Sequence, residues 1–134
     1  MTAPHAGVLA PRLSRSHVLI AAIFVGSGML HLLRPGAFVG MVPHRLPAPP
    51  LLVIVSGVCE LAGGAGVLLP ATRVAAGWGL MALLVAVLPA NVQMLLDARA
   101  TGASPWWQLA LVMRLPLQLV LIWWVHRAAV RRPT

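Results

Sequence analysis

Apolar residues along the chain form four long runs, separated by short segments rich in proline, glycine and charge. The runs cover residues 18–33, 50–69, 74–96 and 106–125. A helix rises about 1.5 Å per residue and the hydrocarbon core of a bilayer is about 30 Å thick, so the last three runs suit one crossing each and the first is short for one. The pattern predicts an all-α fold, a four-helix transmembrane bundle.

The first run also has features of a cleavable signal peptide. Arg12 and Arg15 precede it, and it contains three successive small residues, Gly26, Ser27 and Gly28. A signal peptide ends its apolar core near such residues. Here leucine and methionine continue beyond them and three further apolar runs follow, which favours a membrane span.

Tryptophan pairs mark both ends of the fourth run. Trp106 and Trp107 open it, and Trp123 and Trp124 close it. The two pairs lie roughly 25 Å apart on a helix, near the spacing of the two interfacial aromatic belts of a membrane. This spacing is typical of a complete crossing and not of a buried helix in a soluble protein.

Composition supports a membrane location. Hydrophobic residues make up 60% of the chain, charged residues 9%, and the mean hydropathy is +0.90. This is far above the values of soluble domains. The lipid bilayer is therefore the expected partner, and the division of the chain is a polar segment 1–16, a membrane domain 17–127 and a basic tail 128–134.

The basic residues predict the orientation. An even number of spans places both chain ends on one side, where six arginines fall: Arg12, Arg15, Arg73, Arg127, Arg131 and Arg132. Three fall on the opposite side: Arg34, Arg45 and Arg99. The positive-inside rule predicts cytoplasmic termini and a multi-pass protein of the inner (plasma) membrane. Because most basic residues of this +8 chain are dispersed at span ends, nucleic acid is not an expected partner.

Several kinds of chemistry are disfavoured. Cys59 is the single cysteine, so an intramolecular disulfide cannot form, and we interpret this residue as a small packing residue. His31 and Glu60 are too few ligands for a metal site, and no cofactor is expected. Arg73 and Asp97 are interpreted as ordinary loop charges.

Glu60 interrupts the second run near its middle. An ionisable group at this depth is costly and normally faces the bundle interior with a partner. Arg114 has a similar depth in the fourth run, which crosses in the same direction, so the sequence predicts a Glu60–Arg114 pair. Such a pair can perform chemistry or only fix the helix register, and the sequence leaves both alternatives open.

Polar and small residues surround this predicted pair. A small-residue face along which another helix can approach lies around Glu60, at Ser56, Gly57, Gly63 and Gly64. Gln118 and Trp107 share a helix face with Arg114. Pro89 and Pro116 release backbone carbonyls of the third and fourth spans, those of Val85 and Val112.

We therefore expect an internal cavity. Glu60, Arg114 and Gln118 form its floor, while His31 and Asn91 lie nearer a mouth that opens to the non-cytoplasmic side. The apolar connection 34–49 can cap that mouth. The candidate catalytic residues are Glu60, Arg114, His31 and Asn91, and the candidate substrate-binding residues are Ser27, Ser56, Trp107 and Gln118.

Four sequence strings in order resemble the DoxX-like family of small four-helix membrane proteins: "GSGMLHLLRPGAFVGMVPHRLPAP", "SGVCELAGGAGVLLPATRVAAGWG", "LLVAVLPANVQMLLD" and "LPLQLVLIWW". The resemblance covers roughly residues 24–124. It implies a four-helix bundle, an association with membrane redox systems, and a relationship to animal receptor-assembly chaperones. It further implies recurrent positions at His31, Pro43, Pro47, Glu60, Gly63, Arg73, Pro89, Asn91, Arg114 and Pro116. The resemblance also implies partners among thiol or quinone enzymes, but a chain with a single cysteine does not fit a thiol role.

Three classes of function follow. In the first, the cavity binds a lipophilic small molecule, isoprenoid or quinone-like, and the Glu60/Arg114 pair supports acid/base chemistry such as isomerisation, epoxide opening or cyclisation. In the second, as the DoxX-like resemblance implies, the chain is a non-catalytic accessory or assembly subunit of a membrane redox complex. In the third, it is a small proton-coupled exporter acting as a dimer, the simplest homo-oligomer. The fixed charge of Arg114 argues against this third class. The sequence does not decide whether the protein is an enzyme.

Overall fold

The predicted four spans are present in the fold. A computed structural model of the protein describes residues 12–131 and contains α1 (Arg15–Leu33), α2 (Gly36–Val39), α3 (Pro49–Leu68), α4 (Arg73–Ala100) and α5 (Pro105–Val125), which a π-helical turn, His126–Val130, continues. Four of these helices are long and apolar enough to cross a membrane: α1, α3, α4, and α5 with its π-helical turn. The short helix α2 lies in the connection 34–49, and α4 continues past its predicted end at residue 96. Residues 1–11 of the expected polar segment and 132–134 of the expected tail, with Arg132, lie outside the described residues.

A histidine near the start of α1 forms a hydrogen bond to the π-helical turn that follows α5. The Ser14 hydroxyl accepts the His17 backbone N–H, and His17 Nδ1 accepts the Ser14 backbone N–H at 3.0 Å, which forms a capping box. The other ring nitrogen then carries the proton, and Nε2 donates to the Ala128 carbonyl at 2.8 Å. Both described chain ends therefore lie at the same end of the molecule.

Arg73, which we expected to be a loop charge, is buried. Its Nε donates to the Val67 carbonyl at 2.9 Å and a terminal nitrogen donates to the Leu68 carbonyl at 3.5 Å. The last carbonyls of a helix have no partner within that helix, so the Arg73 guanidinium caps α3. Its positive charge also interacts favourably with the negative, C-terminal end of the α3 dipole. The loop interpretation of Arg73 was wrong because the tight α3–α4 turn folds its side chain back onto α3.

The main core lies in the half of the molecule that contains the chain ends. It is formed by residues of all four spans: Ile20, Phe24, Val67, Leu80, Met81, Leu84, Val125 and Ala129. A second, smaller cluster joins α4 and α5 in the opposite half and consists of Met94, Leu95, Ala98 and Leu111, with Met41 packed against it. Ala129 lies in the part of the chain that we expected to be a tail, so the packed domain extends into the π-helical turn.

Helices α1 and α3 approach each other closely through glycine. A Cβ added at Gly28 would lie 2.6 Å from the Gly57 carbonyl oxygen, and one added at Gly57 would lie 2.8 Å from the His31 Cβ. Further along, one added at Gly64 would lie 3.2 Å from the Ala21 carbonyl oxygen. The prediction that small residues of α3 admit a neighbouring helix is thus confirmed: Gly57 and Gly64 face α1, and Gly63 faces Leu80 of α4.

Candidate functional site

Glu60 is paired with a histidine. His31 Nδ1 lies 3.0 Å from Glu60 Oε2, and the two side chains are 16% and 12% exposed. Glu60 lies in the middle part of α3 and His31 in the last turn of α1. The pair, here called the His31–Glu60 dyad, lies in the half of the molecule away from the chain ends.

The glycine contact between α1 and α3 sets the geometry of the dyad. His31 follows Gly28 by three residues, and the added Cβ of Gly28 would lie 3.1 Å from the Glu60 Cβ. Residues three apart share a helix face, so His31 is on the side of α1 that meets α3. Because the two backbones nearly touch, the imidazole and the carboxylate reach hydrogen-bond distance.

The connection between α1 and α3 covers the dyad. The Phe38 ring, in α2, lies 4.2 Å from the His31 ring centroid to centroid, at an interplanar angle of 71°. This is the edge-to-face geometry that aromatic rings prefer. Met41, just after α2, packs against the cluster between α4 and α5. The connection therefore contacts the dyad and the α4–α5 cluster, and its expected role as the cap of a cavity mouth stays a prediction.

Arg114 does not form the expected pair. Within residues 12–131 the salt bridge of Glu60 is to His31, and the Arg114 side chain is exposed on α5. Arg114 precedes the buried Gln118 by four residues, but the two positions differ by about 40° around a helix. The exposed Arg114 side chain lies outside the packed face, and Glu60 is bonded to His31, so the predicted Glu60–Arg114 ion pair is wrong.

A second polar pair links α4 to α5. Asn91 Nδ2 donates to Gln118 Oε1 at 2.7 Å, and Gln118 Nε2 donates to the Leu84 carbonyl. Asn91 and Gln118 are both buried. The acceptor on α4 is the Leu84 carbonyl, which adjoins the Val85 carbonyl that Pro89 is expected to release. The pair satisfies its polar groups internally, as membrane helices require.

Among the described residues, the remaining candidates form no side-chain hydrogen bond with each other or with the two polar pairs. Ser27 and Ser56 are half-buried on α1 and α3, while Trp107 is exposed at the start of α5. The predicted cavity lining is therefore divided into two separate polar pairs. One joins α1 to α3, the other joins α4 to α5, and Arg114 belongs to neither.

An open groove lies elsewhere, between α3 and α4. It has a volume of about 580 Å³ and an apolar lining of small residues, among them Ala62, Gly66, Ala76 and Gly79. Cys59, which we interpreted as a small packing residue, also lines this groove and is exposed, so it does not belong to the core. Among the described residues, no group of three or more metal-ligating side chains occurs.

The dyad is suited to proton transfer. A proton between Nδ1 and Oε2 leaves the pair without net charge whether it resides on the imidazole or on the carboxyl group. A net-neutral pair is less costly to bury at this depth than a lone carboxylate. The second ring nitrogen of His31 is the atom through which a proton can enter or leave.

Sequence reasoning identified both members of the dyad but not their partnership. His31 is near the end of its helix and Glu60 is near the middle of its own, so the sequence predicted different membrane depths for the two residues. Side chains on a helix lean toward its N-terminus, and α1 and α3 are antiparallel. The spacing of Gly28 before His31 and of Gly57 before Glu60, three residues in each case, is the signal that indicates a shared contact.

Comparison with known proteins gives one family. Neither the curated proteins nor the solved structures contained a match to the chain. Residues 20–129 match the family described as Domain of unknown function (DUF8561), and this match includes the dyad, the Asn91–Gln118 pair and all four spans. The chain therefore belongs to the DUF8561 family.

Proposed function

We propose that this membrane protein binds a lipophilic small molecule, isoprenoid or quinone-like, and that the His31–Glu60 dyad exchanges a proton with it. The observation that carries the proposal is the 3.0 Å contact between two titratable groups that are largely buried within the spans. Intramembrane ionisable residues usually mark substrate or proton pathways. The resemblance to DoxX-like proteins and a location in the inner (plasma) membrane belong to the same proposal.

The chemistry assigned to the dyad is general acid/base catalysis. Glu60 accepts or donates the proton, and His31 orients the carboxyl group and exchanges the proton through Nε2. Phe38 closes one side of the imidazole, which limits access of water to the pair. Reactions that need only a proton shuttle, such as isomerisation or opening of an isoprenoid epoxide, fit this arrangement.

The proposal is tested with purified protein in lipid nanodiscs, using an isoprenoid epoxide and a short-chain quinone as probes. We expect conversion of the epoxide or saturable binding of the quinone, measured by mass spectrometry of the extracted lipids. Glu60→Gln keeps the shape of the side chain and should reduce turnover about 100-fold or more, as loss of a general acid/base does. Asp97→Asn, which alters the chain's other carboxylate, should leave turnover unchanged.

An accessory role is the second candidate, and the exposed mid-span Arg114 favours it. In that case the dyad fixes the packing of α1 on α3 and performs no chemistry. The variants distinguish the two roles. Loss of folded yield in Glu60→Gln, restored by a second change of His31→Leu, together with no conversion or binding of either probe by the unaltered protein, would contradict the proton-transfer proposal.

A further inference from the structure

Arg114 carries a positive charge at the middle of α5 without an internal partner. Within the described part of the chain, none of the hydrogen bonds or salt bridges uses its guanidinium. The chain has two acidic residues. Glu60 is bonded to His31, and Asp97 accepts the Gln93 side-chain amide at 2.8 Å near the end of α4.

The depth of Arg114 favours an external partner. It follows Pro105, the first residue of α5, by nine positions, which corresponds to about 14 Å along a helix. The hydrocarbon half-thickness of a bilayer is about 15 Å, so the Cα of Arg114 lies near the midplane. Charged side chains at this depth are almost always paired or face a water-filled space.

The surface around Arg114 is suited to another helix. Along its straight part α5 packs mainly on α4, and it belongs to the least buried of the four spans. Ala110, one turn before Arg114, is exposed and small, whereas Met113 and Leu117 are exposed and large. A small residue beside a polar one lets a second helix approach closely enough for a hydrogen bond.

We infer that this face of α5, formed by Ala110, Met113, Arg114 and Leu117, docks a transmembrane helix of a different protein that carries an aspartate or glutamate near the bilayer midplane. A second copy of this chain cannot supply the carboxylate, because Glu60 is bonded to His31 and Asp97 lies near the membrane surface. A lipid headgroup does not fit either, because headgroups lie at the surface. Docking at α5 is independent of proton transfer at the dyad, which lies on α1 and α3.

The test uses synthetic transmembrane peptides rich in leucine and alanine, with a single central Glu, Gln or Leu. The protein carries a fluorophore at Ala100→Cys in a Cys59→Ala background, the peptides carry an acceptor, and both are placed in phosphatidylcholine vesicles. We expect the Glu peptide to associate about tenfold more tightly than the Leu peptide, as strong interhelical hydrogen bonding allows. This comparison needs no variant of Arg114.

Variants of Arg114 then test whether this residue causes the preference for the Glu peptide. Arg114→Met should reduce the advantage of the Glu peptide to below about twofold, and Arg114→Lys should retain part of it. Arg99→Met, at the membrane surface, should leave the advantage intact.

Four outcomes would overturn the inference. They are equal association of the three peptides, a Glu preference that persists in Arg114→Met, energy transfer between copies of the protein without peptide, and loss of the preference when phosphatidylglycerol is added. The third would assign the surface to self-association and the fourth to an anionic headgroup.

Discussion

At the scale of single residues, two pairs of polar side chains bridge neighbouring helices. His31 pairs with Glu60, and Asn91 pairs with Gln118. Arg73 satisfies backbone carbonyls at the end of α3. A buried polar group without a partner is expensive in the membrane, so each of these contacts stabilises a particular helix arrangement.

Gln118→Leu should destabilise the fold by about 1–2 kcal/mol, because it leaves the buried side-chain amide of Asn91 without its acceptor and removes the bond from α5 to the Leu84 carbonyl. Reversible unfolding in mixed micelles of increasing sodium dodecyl sulfate measures the change. Gln108→Leu is the matched control on the same helix, since Gln108 is less buried and bonds only to the Ala103 carbonyl. Equal effects of the two substitutions would mean that the interhelical pair contributes nothing of its own.

At the scale of helices, close packing of α1 on α3 positions the dyad. Lipid chains are as apolar as leucine, so helices in a membrane associate through tight van der Waals contact and hydrogen bonds, and small residues make such contact possible. Gly28 and Gly57 meet where the backbones are nearest. The other helix pairs, α3 with α4 and α4 with α5, are joined by short connections that hold them side by side.

Gly28→Ala should destabilise the protein by about 1–3 kcal/mol, because the new methyl group overlaps the Gly57 carbonyl and forces the helices apart. The same separation should weaken the His31–Glu60 contact. Gly26→Ala is the control on the same helix, since a Cβ there meets no atom within 4 Å. Unfolding in mixed micelles and the chemical shifts of the His31 ring would be measured for both, and a Gly28→Ala protein as stable as Gly26→Ala would refute the packing argument.

At the scale of the whole molecule, the two halves differ. All four spans share one core in the half that contains the chain ends, and His17 links α1 to the π-helical turn there. In the opposite half, α1 and α3 meet at the dyad while α4 and α5 form their own cluster, and the connection 34–49 contacts both through Phe38 and Met41. The shared core holds the bundle together, and the opposite half presents the polar groups.

The arginine distribution predicts that the chain ends face the cytoplasm. Single cysteines introduced at Thr72 and Ala100, in a Cys59→Ala background, lie at opposite ends of α4 and test this orientation. We expect a membrane-impermeant maleimide to label Ala100→Cys in intact cells and to label Thr72→Cys only after the membrane is opened. The reverse pattern would invert the topology and place the dyad in the cytoplasmic half.

The number, length and order of the spans could be read from the sequence alone, since a crossing requires an apolar run of a certain length and this property is local. The small-residue face of α3 was readable for the same reason. The partner of Glu60 was not, because depth along a span does not determine how each helix rotates about its axis or which helix lies beside it. Only the tertiary packing, with Gly28 against Gly57, turned Glu60 toward His31 and left Arg114 on the outer surface of α5.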